Sequence, residues 1–256
     1  MKTLKDFVSA GNKFVVAHRG ASAIAPENTI AAIEAAIESG AKMLETDVQY
    51  SKDGIPVVWH DDNLDKLGII GKTVADLTYS EIEKIDAGSW FSEKFKGEKI
   101  PTLDQVLSII KNKMYLNIEI KNQSAVGEKL LRSIINITEK HDYIEKTIFC
   151  SFYYNLLPII KFECEEAHIA AIQIPGNNTL PSAIRQIAGI DAYICDVNEL
   201  TDELAEDAET HEIFTGVYGL EDEKSIDFAL SKGVVAFASD DPELTRSILI
   251  KKGYIK

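Results

Sequence analysis

The chain has 256 residues, of which 45% are hydrophobic and 27% charged, and its formal net charge is −14. These values are ordinary for a soluble globular protein. The acidic balance argues against a nucleic-acid partner or an anionic membrane surface, because both require a basic footprint, whereas a small phosphate ligand requires only local positive charge.

The sequence carries no visible signal for export or membrane insertion. Met1 to Lys13 lacks the apolar core of a secretory signal, and no run approaches the roughly 18 apolar residues of a transmembrane helix. The three cysteines (Cys150, Cys164 and Cys195) are odd in number and have no C-x-x-C spacing, so we expect buried free thiols. We therefore expect a cytoplasmic protein without stable membrane insertion. The oligomeric state is not indicated.

Short β-rich runs alternate with amphipathic segments along most of the chain. The predicted strands lie near residues 14–18, 43–49, 115–120, 147–151, 168–173, 190–195, 213–218 and 234–238. The predicted helices lie near 29–39, 103–111, 125–140, 153–163, 180–187, 200–210, 222–231 and 242–250. Eight strand–helix units in about 250 residues predict an α/β fold, a (β/α)8 TIM barrel whose functional side chains gather at the C-terminal ends of the strands.

One additional strand is expected after the second barrel strand. Lys52-Asp53-Gly54 is a tight-turn signal, and so short a link cannot join parallel strands. We therefore predict that residues 55–59 return as the second strand of a hairpin. Residues 62–100 would then form a short insertion at the active-site face, with one helix at 81–86. We expect residues 1–256 to be a single barrel domain.

Two helix starts carry local capping signals. Asn28 precedes the helix at 29–39, and Asp241 with Pro242 precedes the last helix. Both side chains can accept hydrogen bonds from free backbone N–H groups, and proline suits the first helical position. We predict Asn28 and Asp241 as N-caps. Glu27 either gains from the helix dipole or reaches the site.

Charged and imidazole side chains interrupt the apolar strands where these strands end. The residues are His18, Arg19, Glu45, Asp47, His60, Glu119 and Lys121. Residues two apart in a strand share a face, so Glu45 and Asp47 point the same way. Such groups cost several kcal/mol to bury unless they are paired or bind a cation. Three carboxylates suit a hard divalent ion, and two histidines suit proton transfer near neutral pH, so the set is typical of an active site.

The order of these motifs resembles the glycerophosphodiester phosphodiesterase family from about residue 14 to 248. The motifs are His18-Arg19-Gly20, Pro26-Glu27-Asn28-Thr29, Glu45-Thr46-Asp47-Val48, Lys52-Asp53-Gly54, His60-Asp61, Ile118-Glu119-Ile120-Lys121, Ser151-Phe152 and Ser239-Asp240-Asp241-Pro242. Each motif alone is weak, but all eight in the family's order make a specific match.

The resemblance implies a role for each site residue. It implies a divalent cation, Mg²⁺ or Ca²⁺, on Glu45, Asp47 and Glu119, an acid–base pair in His18 and His60, and phosphate binding by Arg19 and Lys121. An alternative is that the carboxylates are only neutralised in ion pairs with Arg19 and Lys121. The resemblance does not decide which histidine is the base.

One motif departs from the family. Many members carry Trp-Thr-Val-Asn on the seventh barrel strand, where the tryptophan lines the substrate pocket, and this chain has Tyr218-Gly219-Leu220-Glu221. Tyr218 keeps an aromatic wall. The change leaves the metal and histidine positions untouched but leaves the alcohol preference open.

The implied activity is hydrolysis of glycerophosphodiesters such as glycerophosphocholine or glycerophosphoethanolamine to sn-glycerol 3-phosphate and an alcohol. One alternative is a lysophospholipase D-like activity, for which Trp90, Phe91 and Phe95 in the insertion would provide apolar contacts. A second is a barrel that binds glycerophosphodiesters without turnover, although a binder needs no pair of proton-transfer groups. A third, a barrel metalloenzyme such as a sugar isomerase, usually has histidine among its metal ligands.

Overall fold

The computed structural model describes residues 1–121 and 128–256. Its nine strands are β1 (Phe14–Ala17), β2 (Met43–Tyr50), β3 (Pro56–Val58), β4 (Tyr115–Ile120), β5 (Thr147–Ser151), β6 (His168–Ile172), β7 (Ala192–Asp196), β8 (Phe214–Tyr218) and β9 (Ala236–Ser239). β1 pairs in parallel with both β2 and β9, so eight parallel strands close into a barrel. The predicted (β/α)8 barrel is confirmed.

The structure describes ten α-helices, eight of which belong to the strand–helix units of the barrel and cover its outer face. They are α1 (Leu4–Ser9), α2 (Ile30–Ser39), α3 (Tyr79–Ile82), α4 (Leu103–Ile110), α5 (Glu128–Lys140), α6 (Leu157–Glu163), α7 (Pro181–Ala188), α8 (Asp202–Thr210), α9 (Glu223–Ser231) and α10 (Pro242–Lys251). All eight predicted barrel helices are present, although residues 125–127 of the third lie outside the described residues. Helix α1 was not predicted. It packs Leu4 and Val8 against Phe14, Met43 and Tyr115 at the N-terminal end of the barrel.

Strand alternation places the polar side chains inside the barrel. Leu44 and Val48 of β2 pack outward into the main core, so Glu45 and Asp47 point inward. The parallel register of β2 and β4 then places Asp47 beside Glu119. The apolar outer face therefore fixes the position of the acidic inner face.

The strand β3 forms the predicted hairpin and leads into an insertion with its own small core. Val58 pairs antiparallel with Val48, and Gly54 adopts the left-handed conformation (φ 80°) that its turn requires. The insertion packs around Val57, Trp59, Leu64, Val74, Ile82, Ala87 and Ile100. Its helix lies at Tyr79–Ile82, slightly earlier than predicted, because Thr78 and Glu81 form a capping box there.

One of the two predicted N-caps is wrong. Asp241 caps α10 as expected, accepting a hydrogen bond from the Leu244 N–H. Helix α2 is instead capped by Thr29, whose hydroxyl accepts from the Ala32 N–H. Asn28 has φ 60°, a left-handed conformation unlike the extended backbone of an N-cap, and its side chain donates to Asp47 instead.

The cysteines and the lengths of the helices bear on the chain as a whole. Cys150, Cys164 and Cys195 are all free and buried, as predicted. Within the described ranges, none of the helices combines the length and the apolar character needed to cross a bilayer.

Candidate active site

Three carboxylates converge inside the C-terminal end of the barrel. Ligand atoms of Glu45, Asp47 and Glu119 lie within 4.8 Å of one another. Glu45 and Asp47 are 6% and 0% exposed, and the Glu119 side chain is 13% exposed. Oxygen donors this close and this buried repel one another unless positive charge is present.

Lysine and arginine neutralise part of this negative charge. Lys121 Nζ lies 2.9 Å from Asp47 Oδ1 and 2.6 Å from Glu119 Oε1, and Arg19 Nε lies 3.5 Å from Asp47 Oδ2. Glu45 accepts a 2.8 Å hydrogen bond from the Arg19 backbone N–H but forms no ion pair with any residue that the structure describes. The ion-pair alternative therefore accounts for Asp47 and Glu119 but leaves Glu45 without an ion-pair partner in the described part of the chain.

The pKa values of the three acids reflect this imbalance. Burial and the neighbouring Asp47 charge raise the pKa of Glu45 to about 8, and burial and Asp47 also raise the pKa of Glu119. Burial acts in the same direction on Asp47, but Lys121 and Arg19 outweigh it and lower the pKa of Asp47. A divalent cation fits this set, because it would supply the missing positive charge to oxygen donors of the kind that Mg²⁺ and Ca²⁺ prefer.

His18 follows β1 and is held by a carboxylate from the opposite end of the sequence. Its Nδ1 lies 2.7 Å from Asp240 Oδ1, which also accepts a hydrogen bond from Ser22 Oγ at 2.9 Å. A carboxylate can only accept, so Nδ1 carries the proton and Nε2 is left for proton exchange. Burial lowers the pKa of His18, but the Asp240 hydrogen bond and the Glu45 charge outweigh it, so the pKa is raised.

His60 has the same arrangement with a neighbouring carboxylate. Its Nδ1 lies 2.8 Å from Asp61 Oδ1, which leaves Nε2 for proton exchange. The charge of His60 acts on Asp47 and Glu119, whereas that of His18 acts on Glu45. The two imidazoles therefore act on different members of the carboxylate cluster.

Lys66 links the insertion to the site, a role that no motif in the sequence indicated. Its ammonium lies 2.8 Å from Glu27 Oε1 and 2.9 Å from Asp61 Oδ2, and 4.7 Å from the centroid of the Trp90 ring. Glu27, Asp61 and His60 form a second group with metal-ligand spacing, but Lys66 already supplies a positive charge there. Glu27 thus reaches the site, and its second oxygen bonds Arg19 at 3.0 Å.

Asn28 fixes the orientation of Asp47. Its Nδ2 donates to Asp47 Oδ2 at 2.8 Å, and its Oδ1 accepts from Thr46 Oγ1 at 2.8 Å. The Asn28 backbone N–H donates to the Arg19 carbonyl, and both residues have left-handed backbones. The loop between β1 and α2 is therefore shaped to hold Arg19 and Asp47 together.

Tyr218 lies at the C-terminal end of β8, where it lines the barrel mouth. It packs with Phe152 against the interior cluster that contains Cys150. Burial and the nearby Asp196 carboxylate raise the pKa of Tyr218 to about 12, with a smaller contribution from Glu119. The ring thus borders the carboxylate site and carries a neutral hydroxyl at neutral pH.

One family of known proteins matches nearly the whole chain. The model of the glycerophosphoryl diester phosphodiesterase family matches residues 18–244. A glycerophosphodiester phosphodiesterase of Caldanaerobacter subterraneus is 34% identical over 93% of this chain and 98% of its own length.

Two solved structures have closely similar folds. An Oleispira antarctica phosphodiesterase, solved in complex with the product sn-glycerol-3-phosphate, has a TM-score of 0.87 and 26% identity over 94% of this chain and 98% of its own. A Silicibacter pomeroyi protein with a TM-score of 0.86 and 23% identity, over 94% of both chains, supports the fold alone.

Proposed function

Because the chain belongs to the glycerophosphoryl diester phosphodiesterase family and is a glycerophosphodiester phosphodiesterase, we propose that it works with a divalent cation and two histidines. The substrates in this proposal are glycerophosphodiesters such as glycerophosphocholine and glycerophosphoethanolamine. The products are sn-glycerol 3-phosphate and the corresponding alcohol.

The observation that carries the proposal is the grouping of Glu45, Asp47 and Glu119 within 4.8 Å, together with two histidines that are each held by a carboxylate. Mg²⁺ or Ca²⁺ bound by the three acids would neutralise phosphate charge and polarise its oxygens. The shortage of positive charge around Glu45 supports the binding of a cation there.

Arg19 and Lys121 are assigned to the substrate phosphate. Both are cations at the edge of the carboxylate cluster, and their side chains are 20% and 17% exposed. Arginine offers two parallel donors to phosphate oxygens, and lysine adds a point charge. Loss of one such contact typically costs roughly 2.7–4 kcal/mol of transition-state stabilisation.

The two imidazoles divide the proton transfers between them. One Nε2 accepts the proton of the nucleophile, either water or the neighbouring glycerol hydroxyl, and the other donates a proton to the leaving alkoxide. Asp240 and Asp61 hold the rings in the tautomer that both steps require. Attack by the glycerol hydroxyl would give a cyclic phosphate first.

The test is release of sn-glycerol 3-phosphate from glycerophosphocholine by purified protein with Mg²⁺ or Ca²⁺, before and after chelation. We expect metal-dependent turnover that His18→Ala and His60→Ala each reduce by roughly 10²–10⁴-fold. His211→Ala is the matched control, because that exposed histidine lies on the turn after α8. Full activity in either site variant would refute the assigned roles.

A second candidate substrate class is lysophospholipids. Ile24, Ile70 and Trp90 are 59%, 76% and 39% exposed on loops around the barrel mouth, which favours contact with a lipid chain. Parallel assays with lysophosphatidylcholine and glycerophosphocholine distinguish the two. Faster turnover of the lysophospholipid would favour this candidate.

Further features of the chain support its proposed organisation. Hydrogen bonds from Lys66 to Glu27 and Asp61 support a single barrel domain over residues 1–256, with the 62–100 insertion at its active-site face. Three free buried cysteines support a cytoplasmic location, where thiols stay reduced. The acidic charge supports a small-molecule substrate and no nucleic-acid partner.

A further inference from the structure

Asp196 lies at the C-terminal end of β7 and has no cationic partner among the described residues, in contrast to Asp47, Glu119, Asp61, Glu27 and Asp240. Lys121 pairs with Asp47 and Glu119, Lys66 pairs with Asp61 and Glu27, and His18 bonds Asp240. The Oδ1 atom of Asp196 accepts hydrogen bonds from the backbone and side chain of Asn198, at 2.8 and 3.0 Å. Its Oδ2 atom has neither a hydrogen bond nor an ion pair to any described part of the chain.

The position of this free oxygen depends on a glycine. A Cβ atom added to Gly219 would lie 2.9 Å from Asp196 Oδ2, closer than real Cβ atoms approach an oxygen. Gly219 also has φ 76°, a conformation that other residues adopt only with strain. Gly219 therefore leaves room for the carboxylate in its observed place, so the departure from the family motif at Tyr218-Gly219 and the position of Asp196 are linked.

An aromatic ring stands next to the same carboxylate. Asp196 and Tyr218 are register partners on β7 and β8 and share the inward face of the barrel. The negative charges of Asp196, Glu199 and Glu119 all help raise the pKa of Tyr218. The Tyr218 hydroxyl therefore lies within electrostatic range of Asp196 and of the proposed metal site. A group leaving the phosphate on this side would meet a neutral phenol ring and a free carboxylate oxygen.

We propose that Asp196 and Tyr218 select glycerophosphodiesters whose alcohol carries a positive charge. A choline or ethanolamine group can place its ammonium against the face of Tyr218 and beside Asp196 Oδ2, gaining both cation–π and charge–charge attraction. A neutral alcohol such as inositol gains neither. This inference rests on the proposed phosphodiesterase activity and names the head-group class that the site takes.

The test compares kcat/KM for glycerophosphocholine and glycerophosphoinositol, which share the reacting phosphodiester. We expect Asp196→Asn to lower the value for glycerophosphocholine on the order of tenfold and to leave that for glycerophosphoinositol unchanged. Gly219→Ala should shift selectivity in the same direction by displacing the carboxylate. Asp227→Asn, which removes an exposed charge on the outer helix α9, is the matched control and should change neither substrate.

Failure of this inference and failure of the proposed function give different results. Equal loss on both substrates in Asp196→Asn, or no loss on either, overturns the head-group assignment while leaving the phosphodiesterase intact. If wild-type protein hydrolyses neither substrate, the proposed function fails, and calorimetric binding of choline then decides the inference. Weaker choline binding by Asp196→Asn than by wild type supports it, and equal binding overturns it.

Discussion

His18 shows how single side chains are tuned by partners that are remote in sequence. Its Nδ1 partner, Asp240, lies 222 residues away along the chain. Burial alone would lower the pKa of His18, and it is the Asp240 hydrogen bond together with the Glu45 charge that reverses this effect. In the proposed mechanism, Asp240 therefore acts through the imidazole, as a positioning residue.

Replacing Asp240 with asparagine should move the pH dependence of catalysis. The carboxylate favours the charged imidazolium, so Asp240→Asn lowers the pKa of His18. Whichever limb of the kcat/KM profile His18 controls should move to lower pH. It is the acidic limb if His18 is the base and the alkaline limb if it is the acid. Profiles of wild type and variant test this, with exposed Asp202→Asn as control. An unmoved profile would contradict it.

The loop between β1 and α2 is the element that orients the proposed metal site. Arg19 and Asn28 both have left-handed backbones there, and the buried Asn28 side chain joins Thr46 to Asp47. The sequence suggested a cap at Asn28 because asparagine is common at that position. Its true role depends on a backbone conformation and on a contact with β2, neither of which a local pattern encodes.

Substituting Asn28 by alanine should destabilise this element. The change leaves the Thr46 hydroxyl without its acceptor and puts alanine at φ 60°. We expect the free energy of unfolding in urea to fall by roughly 1–3 kcal/mol, the cost of an unsatisfied buried polar group. Asn155→Ala removes an exposed asparagine and serves as the control. Equal stability of Asn28→Ala and wild type would show that the network does not hold the loop.

Strand alternation explains which elements were predictable from the sequence. The barrel strands and their helices followed from apolar periodicity, and the inward acids followed from residues two apart in β2 and β4. Helix α1 was not predicted because a helix of six residues is too short to show a clear helical period. The contacts of Lys66 were not predicted because it lies in an irregular insertion, where no repeating pattern relates a residue to its spatial neighbours.

The closed barrel brings residues as far apart in sequence as His18 and Asp240 to one end of the molecule. The carboxylates that gather there affect the stability of the fold as well as the proposed reaction. Burial of Glu45 beside Asp47 raises the pKa of Glu45, so ionising this carboxyl opposes folding of the metal-free protein. A cation bound only to the folded state offsets this cost and stabilises the protein. This link can be measured without any substrate.

A divalent cation should therefore raise the melting temperature of the protein. Saturation at about 100 times the Kd corresponds to about 2.7 kcal/mol of added stability. Glu45→Gln should lose this gain, because one carboxylate ligand and its charge are removed. Glu34→Gln on α2, away from the carboxylate cluster, should keep it. Thermal unfolding with Mg²⁺, Ca²⁺ or chelator measures the effect, and an equal gain in Glu45→Gln and wild type would exclude Glu45 as a ligand.

The most direct measurement of the proposed centre is a crystal structure of the protein soaked with Mn²⁺ and sn-glycerol 3-phosphate. Anomalous scattering would locate the cation independently of any assumption about its ligands. The account predicts one peak bound by Glu45, Asp47 and Glu119, with the phosphate between His18 and His60 and in contact with Arg19 and Lys121. A peak elsewhere, or a phosphate remote from either imidazole, would contradict it.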